Sequence, residues 1–276
     1  MSEPRRLAVI NSDAKRAPVL PDPPGLVTDL VDPRLRRFAR TKYDHLLTEL
    51  GTVDAAEAAI AAGCDAVYID TFADYGMAQL RAAAPVPVVG AGEAVLAWAA
   101  ESGRRFSIVT VWPTSMDYIY ADRLAACPGG ELAVGVHYLS DESELDRVGT
   151  DAGVKARMGR GEDDVVSAIT RACLDAAQRD GTDLILFGCT CMTPVSAEVA
   201  RRAGIEIVDP SVIGLRAGHA AALGPRPEPP VAAQRLGAVT ELVDAYLGVA
   251  AGSAGASCGV DADGCEVCAV TAGPSS

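Results

Sequence analysis

The segment Leu186-Phe187-Gly188-Cys189-Thr190-Cys191-Met192 carries an apolar run into a thiol where a strand should stop. An earlier segment has the same layout. Gly63-Cys64-Asp65-Ala66-Val67-Tyr68-Ile69-Asp70-Thr71 aligns without a gap on Gly181-Thr182-Asp183-Leu184-Ile185-Leu186-Phe187-Gly188-Cys189. Each copy starts with Gly-x-Asp behind an Ala-rich helical stretch, runs through an apolar strand and reaches a polar residue. The match continues through a second strand as far as Glu93 and Ser211, and it pairs Thr71 with Cys189. In open α/β sheets ligands sit beyond the carboxyl ends of the strands. Two such halves facing each other would aim Thr71 and Cys189 at one substrate from opposite sides. That arrangement suits proton removal and return at a carbon beside a carbonyl, with a base on one face and donors for the enolate oxygen. The architectural alternative is a repeat in which the two residues only cap strand ends.

The local pattern favours a presented thiol. A cysteine ahead of a helix N-terminus sits in a positive field that lowers its pKa from ~8.5. Thr193 reads as the N-cap of that helix, with Pro194 in the first turn and Gly204 past the end. The backbone N–H groups of Thr190 and Cys191 are then available to a carboxylate or enolate oxygen. In the other half the N–H groups of Phe72 and Ala73 and the Thr71 hydroxyl can do the same. This chemistry calls for no metal and no cofactor. Trp112-Pro113-Thr114-Ser115-Met116-Asp117-Tyr118 follows another strand and should border the same cleft. Tyr118 is a candidate substrate contact or equally a packed tyrosine, and Thr110 at the strand end is a candidate supporting residue. His45, His137 and His219 have no ligand spacing, and Gly90-Ala91-Gly92 lacks the third glycine of a dinucleotide fingerprint.

These residues need a scaffold. Candidate strands are 7–11, 66–71, 86–90, 106–111, 132–139, 183–189 and 205–209. Helical patterns lie near 43–62, 74–83, 92–102, 114–126, 162–180, 194–203 and 211–222, with a last one over 231–250 after the Pro-rich 224–230. Such alternation predicts an α/β chain with a mostly parallel sheet covered on both faces. The break at Cys127-Pro128-Gly129-Gly130 separates two comparable halves. The expected division is 1–110 with 211–250 crossing back as the first half, and 111–210 as the second. A Gly/Ser/Ala-rich tail, 251–276, has the composition of a flexible terminus. Its Cys258, Cys265 and Cys268 include a Cys-x-x-Cys, but no fourth ligand is visible.

Bulk properties exclude some partners. A net charge of −13 repels nucleic acid and anionic membrane surfaces. No apolar run approaches the ~20 residues of a membrane span, and the N-terminus lacks the ~7–15-residue apolar region of a secretory signal. A cytoplasmic protein acting on a small molecule is expected. Eight cysteines in 276 residues do not make a disulfide scaffold, so most are expected to be free thiols.

With these residues in view, the chain resembles the aspartate/glutamate racemase superfamily, and within it the hydantoin racemases. Val9-Ile10-Asn11 resembles the opening strand and asparagine of that group, and Thr71-Phe72-Ala73-Asp74-Tyr75-Gly76-Met77 its Cys-Phe-Gly-Asp-Pro-Gly-Leu segment. Gly92-Glu93-Ala94-Val95 resembles Gly-Glu-Ala-Ala, Gly188-Cys189-Thr190-Cys191-Met192 resembles Gly-Cys-Ala-Gly-Met, and Val208-Asp209-Pro210 resembles Val-Asp-Pro. The resemblance covers about 6–250. It implies two pseudo-symmetric Rossmann-like halves with the active site in the cleft between them, a homo-oligomer, and cofactor-independent racemisation by two cysteines. Asn11 and the backbone at 72–73 and 190–191 would hold the substrate's polar atoms. Glu93 reads as structural more than functional.

Position 71 departs from that pattern, because an alcohol is a far weaker acid than a thiol and a poor free base. Asp74 is the nearest residue to compensate, whereas Asp70 should point to the opposite face. Three readings stay open: an amino-acid or hydantoin racemase or epimerase with Cys189 as main acid/base and Thr71 as partner; a single-cysteine decarboxylase of arylmalonate type; and a non-catalytic binder of small carboxylates or hydantoins. Few cations point to the cleft, since Arg34–Arg40 lie on an early segment, which favours a neutral ring or monoanion.

Overall fold

The computed structural model describes residues 3–10 and 20–253. Asn11 and the tail cysteines Cys258, Cys265 and Cys268 lie outside the described residues. Two four-stranded sheets are present, and every pairing in them is parallel. The first consists of β1 (Arg5–Ile10), β2 (Leu26–Val31), β3 (Ala66–Ile69) and β4 (Val88–Gly90), in the order β2-β1-β3-β4. The second consists of β5 (Phe106–Thr110), β6 (Ala133–Tyr138), β7 (Leu184–Phe187) and β8 (Glu206–Val208), in the order β6-β5-β7-β8. The two orders are the same once β5–β8 are matched to β1–β4, so the sequence repeat is a structural one. Ala66-Val67-Tyr68-Ile69 and Leu184-Ile185-Leu186-Phe187 are buried throughout, as strands covered on both faces must be.

The helices are α1 (Lys42–Ala61), α2 (Met77–Ala83), α3 (Ala91–Ser102), α4 (Asp117–Ala126), α5 (Val154–Gly159), α6 (Asp163–Asp180), α7 (Thr193–Ala203), α8 (Pro210–Leu223) and α9 (Ala238–Ser253). Two elements were not expected from sequence. Edge strand β2 follows a Pro-rich stretch and shows one fully buried residue, so its apolar signal is weak. Helix α5 is a short six-residue turn of chain. The division of the halves also shifts: β5 pairs with β6 and β7, so the second half begins before residue 111.

Helices α3 and α8 are exchanged between the halves. Val95, Leu96 and Ala99 of α3 join the core built on Phe106, Ile108 and Leu186 of the second sheet. Leu215 and Ala222 of α8 join Leu7, Val9 and Tyr68 of the first. Gly214 permits the close approach, since a Cβ there would lie 2.5 Å from the Tyr68 hydroxyl. The two helices also pack on each other, and α9 packs on α1. The α3–α8 packing joins the two halves. None of the described helices is long and apolar enough to cross a membrane.

Candidate active site

Strand β7 ends at Phe187, two residues earlier than the sequence pattern indicates. Gly188 follows, then Cys189 in extended backbone, then a 3-10 turn over Thr190–Met192 that leads into α7. Thr193 is the first residue of α7, with Met192 at the cap position. Its hydroxyl lies 2.8 Å from the Thr190 carbonyl and 3.0 Å from Asp209 Oδ1, so it fastens the turn and does not cap the helix. Cys189 is half-buried, and its sulfur accepts the Cys191 N–H at 3.1 Å. That sulfur is also bonded to the Cys191 sulfur, so Cys189 is not a free thiol here. Cys64, Cys127 and Cys173 are free and buried.

Gly188 is required by what stands behind it. A Cβ would meet Tyr120 Cε1 at 2.8 Å, Ile108 Cγ2 at 2.9 Å and Thr110 Cβ at 2.9 Å. The Tyr120 hydroxyl donates to the Gly188 carbonyl at 3.0 Å and lies 2.6 Å from the Thr110 hydroxyl. Tyr120 is fully buried, and burial raises its phenol pKa, so it stays a neutral donor. Thus the peptide ahead of Cys189 is set by a residue the sequence reading passed over. Tyr118, the expected contact, instead donates its hydroxyl to the Ala39 carbonyl at 2.9 Å, and its pKa is pushed up to about 12 by burial. Residues two apart on a helix lie on nearly opposite sides, so one of the two tyrosines had to turn away. Gly188 was the sequence signal for a bulky neighbour. We expect Gly188→Ala to cost about 1–3 kcal/mol through overpacking and to lower turnover by moving Cys189; urea denaturation and initial rates measure the two effects.

In the first half, β3 ends at Ile69 and the chain turns through Asp70-Thr71-Phe72-Ala73-Asp74. Asp70 points away from Thr71, as strand alternation requires. Its Oδ1 accepts the Tyr68 hydroxyl at 2.9 Å and the Ser211 hydroxyl at 2.6 Å. The Thr71 hydroxyl oxygen is buried and has no hydrogen-bond partner among the described residues. Neither the Phe72 nor the Ala73 amide has an acceptor among them. Phe72 packs its ring 5.5 Å from that of Tyr120.

Asp74 does not assist Thr71, contrary to expectation. Helix α3 starts at Gly90-Ala91-Gly92 with no side chain to cap it. Asp74, in left-handed backbone at φ 51°, supplies the cap from a distance. Its carboxylate accepts the Gly92 N–H at 2.9 Å and the Glu93 N–H at 2.8 Å, with Arg123 at 3.5 Å. Glu93 itself lies 2.7 Å from Arg81 in an ion pair.

The two strand ends meet directly. The Thr190 hydroxyl donates to the Asp70 carbonyl at 2.9 Å, a buried bond between the residue after Cys189 and the residue before Thr71. Three arginines of the basic segment after β2 are paired with acids: Arg34 with Asp54 and Asp244, Arg36 with Asp32, and Arg40 with Asp146.

Parallel repeat halves joined at the ends of β3 and β7 can be compared with known proteins. Residues 9–218 match the Asp/Glu/hydantoin racemase family. The chain belongs to that family. It is similar to a hydantoin racemase of Paenarthrobacter aurescens, with 25% identity over 154 residues, 53% of this chain. That match spans 56% of the relative's length. Among solved structures it is similar in fold to an allantoin racemase of Klebsiella pneumoniae, with TM-score 0.66, 23% identity, and coverage of 80% of this chain and 89% of that one. It is also similar in fold to an arylmalonate decarboxylase, with TM-score 0.53, 19% identity, and coverage of 79% and 93%.

Proposed function

We propose that this member of the racemase family is an isomerase that inverts an acidic carbon centre of a small ureide, hydantoin or amino-acid derivative, without cofactor. Reduced Cys189 removes the proton from one face, and Thr71 borders the other face. The observation that supports the reading is the 2.9 Å bond from Thr190 to the Asp70 carbonyl, which links the residue after Cys189 to the residue before Thr71. The Cys191 N–H donates to the Cys189 sulfur at 3.1 Å. The Phe72 and Ala73 amides stand as donors for the developing enolate oxygen. Arginines 34, 36 and 40 are paired with acids, which fits a neutral or singly charged substrate better than a dicarboxylate.

A one-sided reaction is the second reading, favoured by the commitment of Asp74 to the α3 cap. Without a base beside Thr71, Cys189 would deliver a proton to a single face, as a decarboxylase of substituted malonates requires. Assay of chiral hydantoins, allantoin, aspartate and glutamate for loss of optical rotation tests the first reading. Carbon dioxide release from an aryl-substituted malonate tests the second, and silence in both assays with ligand bound would reject catalysis. Thr71→Cys should raise two-sided turnover by about tenfold or more, since a thiol is a far better base than an alcohol at neutral pH. A fall in rate would show that the hydroxyl has a role of its own.

A further inference from the structure

The Cys189–Cys191 bond gives the seam a second chemistry. An extended strand would separate residues two apart by roughly 6.6 Å. The 3-10 turn over Thr190–Met192 shortens this to a Cα separation of 5.1 Å, within the range a disulfide accepts. Both residues are half-buried and reachable from solvent. Among the described residues the free thiols are buried: burial pushes Cys64 up to about 11 and Cys173 up to about 12, and it raises Cys127 as well. The Cys191 N–H donates to the Cys189 sulfur at 3.1 Å, so the first sulfur of the pair already has a hydrogen-bond donor beside it.

We infer that Cys189 and Cys191 form a reversible oxidation site, closed by a hydroperoxide and opened by a dithiol, that takes the proposed base out of service. The Cys189 thiolate attacks one oxygen of hydrogen peroxide; the O–O bond breaks, hydroxide leaves, and a sulfenic acid remains. The Cys191 thiol then attacks that sulfur, forming the S–S bond and releasing water. Two electrons pass from the two thiols to the peroxide. In the reverse direction a dithiol attacks the bond, becomes a cyclic disulfide itself and returns both protein thiols. A disulfide sulfur has no lone thiolate and cannot accept a substrate proton. The bond also protects the sulfur, because a sulfenic acid without a neighbouring thiol proceeds to the irreversible sulfinic acid. The link to activity rests on the proposed function; the oxidation chemistry does not.

The test uses the full chain, reduced with dithiothreitol and then treated with hydrogen peroxide. Trypsin releases residues 180–201, in which Cys189 and Cys191 are the sole cysteines. The expected result is that this peptide loses two hydrogens and resists alkylation, while turnover falls by about 10²-fold or more and returns with dithiothreitol. In Cys191→Ser the same peroxide should leave Cys189 open to a 1,3-diketone trap for sulfenic acid. Excess peroxide should then remove that variant's residual turnover beyond recovery by dithiothreitol. Alkylation of both cysteines after peroxide, or equal trapping in wild type and variant, would overturn the inference. Failure of the functional reading looks different: the peptide would still cross-link, but Cys189→Ala would turn over substrate as wild type does.

Discussion

Cys189→Ala should lower turnover by about 10²- to 10⁴-fold, the usual contribution of a positioned acid/base group, and leave the fold intact. The side chain is half-buried at the end of a buried strand, so its loss opens no core cavity. Two measurements separate the effects: initial rates on the substrate the protein accepts, and far-UV circular dichroism with a thermal melt. A variant that melts like wild type and is inactive supports the role, and one that is active rejects it. The reduced enzyme must be used, because in the disulfide the same sulfur is already withdrawn.

Asp74→Ala should destabilise the fold by about 2–4 kcal/mol. The carboxylate satisfies two helix-start amides, one of them in a buried bond, and a lost cap costs roughly 0.5–2 kcal/mol. An amide left buried without an acceptor adds roughly 1–3 kcal/mol. Asp74→Gly should be the milder change, since glycine adopts the φ of 51° without the penalty of a Cβ, about 1 kcal/mol. Chemical denaturation of the three proteins at pH 7 orders them. The pH dependence gives a second signature. Burial pushes the Asp74 carboxyl up to about 6, against the Gly92 and Glu93 amides and Arg123, which pull it down. Because the folded value exceeds the unfolded value of about 3.9, folding takes up a proton between the two. This contribution is full below about pH 4 and is lost as pH rises through about 6. Neither variant should show that decline. A variant with the wild-type pH profile would contradict the assignment.

The repeat was legible because both copies keep the same short apolar run, and burial on both faces demands apolar residues whatever else changes. Hence the cores of β3 and β7, the parallel sheets and the pairing of Thr71 with Cys189 follow from residue order. The helix exchange was not legible. An Ala-rich helix such as α3 presents the same small apolar face to either sheet, and its close packing at Gly92 and Gly129 shows only in three dimensions. At Gly92 a Cβ would lie 2.1 Å from the Phe72 carbonyl, and at Gly129 it would lie 2.3 Å from the Leu96 carbonyl. The Cys189–Cys191 bond was hidden for a related reason: the apolar pattern extends a strand to Cys189, but the chain leaves the sheet at Gly188. Tyr120 was missed because helix periodicity tells that Tyr118 and Tyr120 diverge, not which one faces Gly188.

The central claim is that Cys189 and Thr71 address one carbon from opposite faces, and isotope exchange at early conversion tests it most directly. Each enantiomer of an accepted substrate is incubated separately with reduced enzyme in deuterium oxide, and product and remaining substrate are separated on a chiral column. Two faces served by two groups predict deuterium at the inverted centre of the product and none in the recovered starting enantiomer. Deuterium accumulating in the starting enantiomer, without inversion, would mean that Cys189 works alone and would contradict the account.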